Sequence, residues 1–360
     1  MSSRSLLPVV LTADNFPNYA LPPAPPPAPY VPFHLTLADF EHSVYPLGLL
    51  RLDVLLEMRK YNASLVEAGK DAIWGFVDDG KGDESGEWTR ETKGVYFEEG
   101  VAKSGKEAVS RVMKECVEKW KADGLFPADG QAGWRNELYA IYASPQSSAF
   151  ASTSGKPLDN VAFHLERAAC ALFGLATFGV HLTAYETVNG EMKVWVPRRS
   201  MTKATWPGRL DNSVAGGITA GMTPFDTIIK ECDEEASLSE DLVRKYIKNV
   251  GIATYFYFTE DGFLQPAEVE YLYDLPLPPS DSAEYIRPAP HDDEVESFAL
   301  LTIPDLISAL YGNDMKPNCG LVYVDFLIRH GYVTPENEPN FVEIGSRLRR
   351  KLGVGMPGLA

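Results

Sequence analysis

Two hydrophobic periods alternate along this chain, and they predict its elements. Residues 104–123 repeat apolar side chains at helical spacing, with Val109, Val112, Met113, Cys116 and Trp120 on one face. Residues 47–61 carry a similar helical pattern, and 74–77 look extended. A polar, glycine-containing stretch at 78–87 reads as a loop, and the Ser, Ala and Gly of 144–156 read as a linker. Beyond it the period changes to two. Residues 178–187 and 193–197 predict strands joined at Asn189-Gly190, a strong hairpin signal. Further strands are predicted at 252–258, before the Asp261-Gly262 turn, and at 269–275 and 295–301. A proline-rich loop covers 277–290, and helices are expected at 303–310 and 321–330. Strands interleaved with helices define an α/β protein. The segment LPPAPPPAPYVP at 21–32 is polyproline-like and reads as a rigid N-terminal arm.

One segment joins a glycine turn to an acidic helix, GGITAGMTPFDTIIKECDEEASL at 216–238. Thr223 can cap this helix, Pro224 fits its first position, and Asp226 sits at the third. Phe225, Ile228, Ile229, Cys232 and Ala236 supply an apolar face. Glu231, Glu234 and Glu235 stand at i, i+3 and i+4, so three carboxylates share another face. Like charges on one stripe destabilise a bare helix. A hard divalent cation among them reverses the sign, because Mg²⁺ prefers oxygen ligands. The carbonyl of Gly216 or Gly217 is a candidate to complete the shell.

The formal charge of −17 excludes a nonspecific nucleic-acid binder, which needs a basic footprint. It leaves room for a phosphate substrate if a cation screens it. Arg198, Arg199, Lys203 and Arg209 cluster just ahead of the acidic helix as candidates for phosphate contact. No apolar run approaches the roughly 20 residues that span a bilayer, so no membrane partner is expected. Cys116, Cys170, Cys232 and Cys319 lack zinc or redox spacing and read as buried thiols of a reducing compartment, with the cytosol as the expected location. His164 and His181 lie in apolar surroundings, and His291 sits in the proline-rich loop.

The acidic segment resembles the Nudix box. Gly216 takes its first position, and Glu231, Cys232, Glu234 and Glu235 take its core. Met222 replaces an early glutamate, Lys230 the arginine and Ser237 the late glycine. Further segments at 165–185, 194–218, 264–278, 292–301 and 316–341 are similar to one Nudix subgroup, related to thiamine pyrophosphokinase-associated Nudix proteins. PFHL at 32–35 and GWRNELY at 133–139 look like landmarks of its extra N-terminal domain. The resemblance runs from about Val31 to Arg349. It implies a C-terminal Nudix α/β/α sandwich around a mixed sheet, at 158–350. A smaller α+β domain at 32–157 and the arm at 1–31 would precede it.

It also implies hydrolysis of thiamine diphosphate, particularly oxidised forms such as oxothiamine or oxythiamine diphosphate, to the monophosphate and phosphate. Mg²⁺ is the implied cation, with Mn²⁺ as the alternative. Glu231 and Glu235 are expected to hold it, and Glu234 to be a third ligand or to orient water. Glu294 and Glu296 are candidates for a further acidic ligand, with Glu268 and Glu270 behind them. Trp134, Tyr139 and Trp206 are candidates for an aromatic wall against the heterocycle. The three departures from the box keep a catalytically silent binding module as an alternative, and ADP-ribose or a dinucleotide as an alternative substrate. A homodimer is compatible with the sequence.

Overall fold

The computed structural model describes residues 4–16, 30–78, 92–125, 134–150, 159–257 and 267–358. Residues 17–29, most of the expected loop at 78–87, the end of the expected linker at 144–156 and the expected Asp261-Gly262 turn lie outside them. The chain forms two compact units. One contains residues 17–177, 259–267 and 352–360, and the other contains 1–16, 178–258 and 268–351.

Helix α1 (Leu7–Leu11) belongs to the second unit, so the expected arm at 1–31 is not a single element. Leu6, Val10 and Ala13 are buried there, and burial of this apolar turn is what holds it. The first unit begins with β1 (Val31–His34), α2 (Leu37–Glu41), β2 (Gly48–Leu50) and α3 (Leu52–Glu67). It continues through β3 (Trp74–Asp78), β4 (Thr92–Phe97), α4 (Glu99–Ala102), α5 (Lys106–Ala122), β5 (Leu138–Tyr142), β6 (Val161–Glu166) and α6 (Arg167–Cys170). Its four-stranded sheet has the order β2-β1-β4-β3, and β5 and β6 form a separate antiparallel pair. Helix α5 buries Val109, Met113, Cys116, Val117 and Trp120, the face that its sequence predicts, while Val112 packs at the margin.

Two expectations need correction here. The helix expected over 47–61 is preceded by strand β2, and it runs on to Glu67. Gly48 explains the switch. A Cβ there would come within 2.3 Å of the Phe173 carbonyl, so close backbone packing takes 48–50 into the sheet. The division into units falls near Phe178, not at 157/158, because β6 pairs with β5 and stays in the first unit.

The second unit contains β7 (Thr177–Val188), β8 (Glu191–Arg199), β9 (Val214–Gly217), α7 (Pro224–Ala236), α8 (Glu240–Tyr246), β10 (Lys248–Tyr255) and β11 (Glu268–Pro276). It ends with β12 (Val295–Thr302), α9 (Ile303–Gly312), α10 (Pro317–Arg329) and α11 (Phe341–Arg347). The strand order is β10-β11-β7-β8-β12, with β9 paired to β7 beside β8. Alternation along β7 sends Val180, Leu182 and Ala184 toward α7, where Ile228, Ile229, Cys232 and Ala236 meet them. Val194, Val196 and Leu272 face the other layer, built from α1, α9, α10 and α11. The unit is therefore an α/β/α sandwich. Among the described residues no helix is long and apolar enough to cross a membrane.

Candidate active site

Helix α7 forms as its sequence dictates. The Thr223 hydroxyl accepts from Asp226 N–H at 3.1 Å and donates to the Asp226 carboxylate at 2.7 Å. The helix ends at Ser237, which takes a left-handed φ of 55° where glycine would sit without strain. The three glutamates of its polar stripe then diverge. Glu234 is exposed and pairs with Lys230 at 2.5 Å. Glu231 folds inward against β9, with Lys230 at 3.3 Å. A Cβ added to Gly216 would lie 2.4 Å from the Glu231 carboxyl carbon, so only glycine leaves room for this carboxylate. Glu235 accepts the Ala215 N–H at 2.9 Å.

The electrostatics of the pair are unfavourable for two bare anions. Burial raises the pKa of Glu231; Lys230 opposes this, while Glu234 and Glu294 add to it. Burial raises Glu235 well above the usual carboxylate range, with Asp211, Glu231 and Glu294 pushing the same way against the Ala215 N–H. Two partly buried oxygen donors one helical turn apart, crowded by further carboxylates, fit a hard divalent cation. Among the described residues no three His, Cys, Asp or Glu side chains converge into a ready cage. Such a cation would be held by Glu231 and Glu235, with backbone, water and substrate oxygens completing the shell. The strand decides which carbonyl is offered. Ala215 turns its N–H, and hence its carbonyl, toward Glu235. The Gly216 carbonyl faces β7 instead, 3.1 Å from where a Gly179 Cβ would be. On this register the Ala215 carbonyl, not that of Gly216, would lie on the Glu235 side of the strand.

The later acidic candidates separate. Glu294 pairs with Lys203, its carbonyl accepts Ser200 N–H at 2.9 Å, and its charge reaches both Glu231 and Glu235. Glu296 is exposed at a β-bulge, because Val295 pairs with Arg199 while Ser297 pairs with Arg198. Glu268 and Glu270 lie on the opposite layer, where the Tyr255 hydroxyl is within hydrogen-bond reach of both carboxylates and donates its proton to one of them.

The basic cluster is engaged internally. Arg199 is buried, pairs with Asp211, and donates to the carbonyls of Trp206 at 3.2 Å and Thr205 at 3.0 Å. Arg198 donates to the Gly208 carbonyl at 2.6 Å, and Arg209 to that of Asn313. Trp206 is partly buried with a φ of 52°, and the Arg209 guanidinium lies 5.9 Å from its ring centre. Trp134 and Tyr139 belong to the first unit. Lys121 stands 4.3 Å from the Trp134 ring centre, and Tyr139 is buried beneath Arg167 at 5.3 Å.

Asp211 escaped the sequence reading. It is buried, binds Arg199 and the Cys319 thiol, and has a strongly lowered pKa through Lys316 and Arg199, despite its burial. In the sequence, Asp211-Asn212 looks like an ordinary turn. His181 is buried, 2.5 Å from the Asn212 amide oxygen and 3.4 Å from Glu270. His291 bonds the Asp233 carbonyl at 2.7 Å.

The NUDIX domain family matches residues 178–317, so this chain carries a Nudix domain. An uncharacterized protein of Saccharomyces cerevisiae, YJR142W, is 41% identical across 62% of this chain and 63% of its own length. Nudix hydrolase 20, chloroplastic, of Arabidopsis thaliana is 34% identical across 68% of this chain and 58% of its own. Nudix hydrolase 24, chloroplastic, of the same plant is 34% identical across 67% and 58%. The chain thus spans less than two thirds of the length of these relatives.

Proposed function

We propose that this protein is a metal-dependent Nudix diphosphatase that hydrolyses thiamine diphosphate derivatives, above all oxidised forms, to the monophosphate and phosphate. The observation that carries the chemistry is the inward pair Glu231 and Glu235, one helical turn apart and raised in pKa by burial and by neighbouring carboxylates, with Glu294 acting on both. The Nudix domain and the relatives named Nudix hydrolases support the reaction class. The thiamine assignment rests on the segments that resemble the thiamine-associated subgroup. The proposed compartment is the cytosol, in keeping with four free, buried cysteines.

A bound Mg²⁺, or Mn²⁺, supplies charge neutralisation at phosphoryl oxygens and activation of water. Glu231 and Glu235 are the residues that would hold such a cation. Glu234, turned outward on Lys230, is the carboxylate left to orient the attacking water. Glu294 keeps Lys203 beside the site and adds negative field. The sidewall of Trp206 is the proposed contact for the heterocycle.

The test is phosphate release by purified protein with Mg²⁺, comparing oxothiamine diphosphate, thiamine diphosphate, ADP-ribose and NADH. Preference for the thiamine compounds, abolished by EDTA, is the expected result. Turnover confined to ADP-ribose or NADH, detected with a coupled phosphatase, would keep the chemistry and overturn the substrate. No turnover on any of them would favour a silent binding module.

A further inference from the structure

The proline-rich loop before β12 is fastened to the end of the acidic helix. Ala289 N–H donates to the Ala236 carbonyl at 3.1 Å, and the Ser237 hydroxyl donates to the Ala289 carbonyl at 3.1 Å. These bonds fix the loop one residue beyond Glu235. Two residues before Ala289 stands Arg287, exposed, with its guanidinium carbon 5.3 Å from the centre of the Trp195 ring. Among the described residues Arg287 makes no hydrogen bond and no ion pair. That is unusual in this neighbourhood. Lys203 is taken by Glu294, Lys230 by Glu234 and Glu231, and Arg199 by Asp211.

Trp195 supplies a second observation. It is 3% exposed, yet its indole N–H has no acceptor among the described residues. A buried indole N–H ordinarily finds one. The Trp195 carbonyl accepts the Ser213 hydroxyl at 2.5 Å, and Ala215, two residues on, meets Glu235. Trp195 is thus bonded through its backbone to the strand whose Ala215 N–H meets Glu235.

We infer that Arg287, carried on the face of Trp195, binds the anionic phosphate end of the substrate. This rests on the diphosphate reading above and adds the residue that recognises the anion. Stacking on the indole holds the guanidinium plane without consuming its donors, which leaves the fork for bidentate contact with phosphoryl oxygens. Glu186 stands on the same sheet face as Trp195, with one carboxylate oxygen unpartnered among the described residues.

The test measures binding separately from turnover. Titration calorimetry of the full chain with methylenediphosphonate and Mg²⁺ would compare the parent with Arg287→Ala and Arg287→Lys. The expected result is binding weakened about tenfold or more in Arg287→Ala and by less in Arg287→Lys, which keeps the charge and loses the fork. Melting temperatures should be unchanged, since the side chain is exposed. Binding in Arg287→Ala within about twofold of the parent, well short of what loss of a charge-assisted bidentate contact gives, would overturn the inference. So would a parent that does not bind the probe. Phosphate release separates the two readings. A parent that binds through Arg287 but hydrolyses no diphosphate would sink only the hydrolase. A parent that turns over substrate, with KM unchanged in Arg287→Ala, would sink only the role of Arg287.

Discussion

Gly216 and Glu231 define the site at its smallest scale. The glycine is required because the carboxylate occupies the space of its missing side chain, 2.4 Å from an ideal Cβ. Gly216→Ala must push Glu231 away, and a flexible, partly exposed side chain can move at little cost to folding. The predicted outcome is a fold that melts within a few degrees of the parent, with phosphate release reduced about tenfold or more through misplacement of one carboxylate. Unchanged activity would show that Glu231 does not act from this position. The common helical stripe of Glu231, Glu234 and Glu235 was legible in the sequence because helical spacing is local. Their divergence was not, since it depends on which backbone groups of β9 face the helix. The same register turns the carbonyl of Ala215, not Gly216, toward Glu235. Arg199 looked like a phosphate ligand for the same reason: its partner Asp211 lies across a loop that no periodicity describes.

At the scale of elements, patterning located α5, α7, β7, β8, β11 and β12 to within a few residues. Each carries its own period or a strong turn signal. Short elements such as β9 and α8 escaped because four to seven residues cannot display a period. Strand β1 of the first unit offers a test by pH. His34 is 4% exposed, its Nδ1 has no partner among the described residues, and burial lowers its pKa to about 4. The unfolded chain protonates near 6.5, so between these values the unfolded state binds more protons and stability falls as pH falls. From pH 6.5 to 5 this one group removes about 2 kcal/mol at most. Urea unfolding followed by the fluorescence of Trp74 and Trp120 should show this decline in the parent. In His34→Leu the decline should shrink. Equal declines in both proteins would mean that His34 is not buried as a neutral group.

For the whole molecule, the α/β/α sandwich was readable because strands and helices alternate after residue 178. The boundary near Phe178 was not. The Ser-, Ala- and Gly-rich stretch looked like a linker, but the pairing of β5 with β6 across it is a long-range contact. The net charge of −17 likewise gave no hint that Asp211 and Glu294 concentrate negative field on the acidic pair. Glu231 and Glu235 concentrate negative charge that Lys230 offsets only at Glu231, and the proposed function places a divalent ion and a diphosphate against them. Glu235→Gln tests it most directly, because glutamine can still accept the Ala215 N–H while removing the charge. Mg²⁺-dependent phosphate release should fall about 100-fold or more, with circular dichroism and melting temperature close to the parent. A folded Glu235→Gln protein that keeps full Mg²⁺-dependent activity would contradict the account.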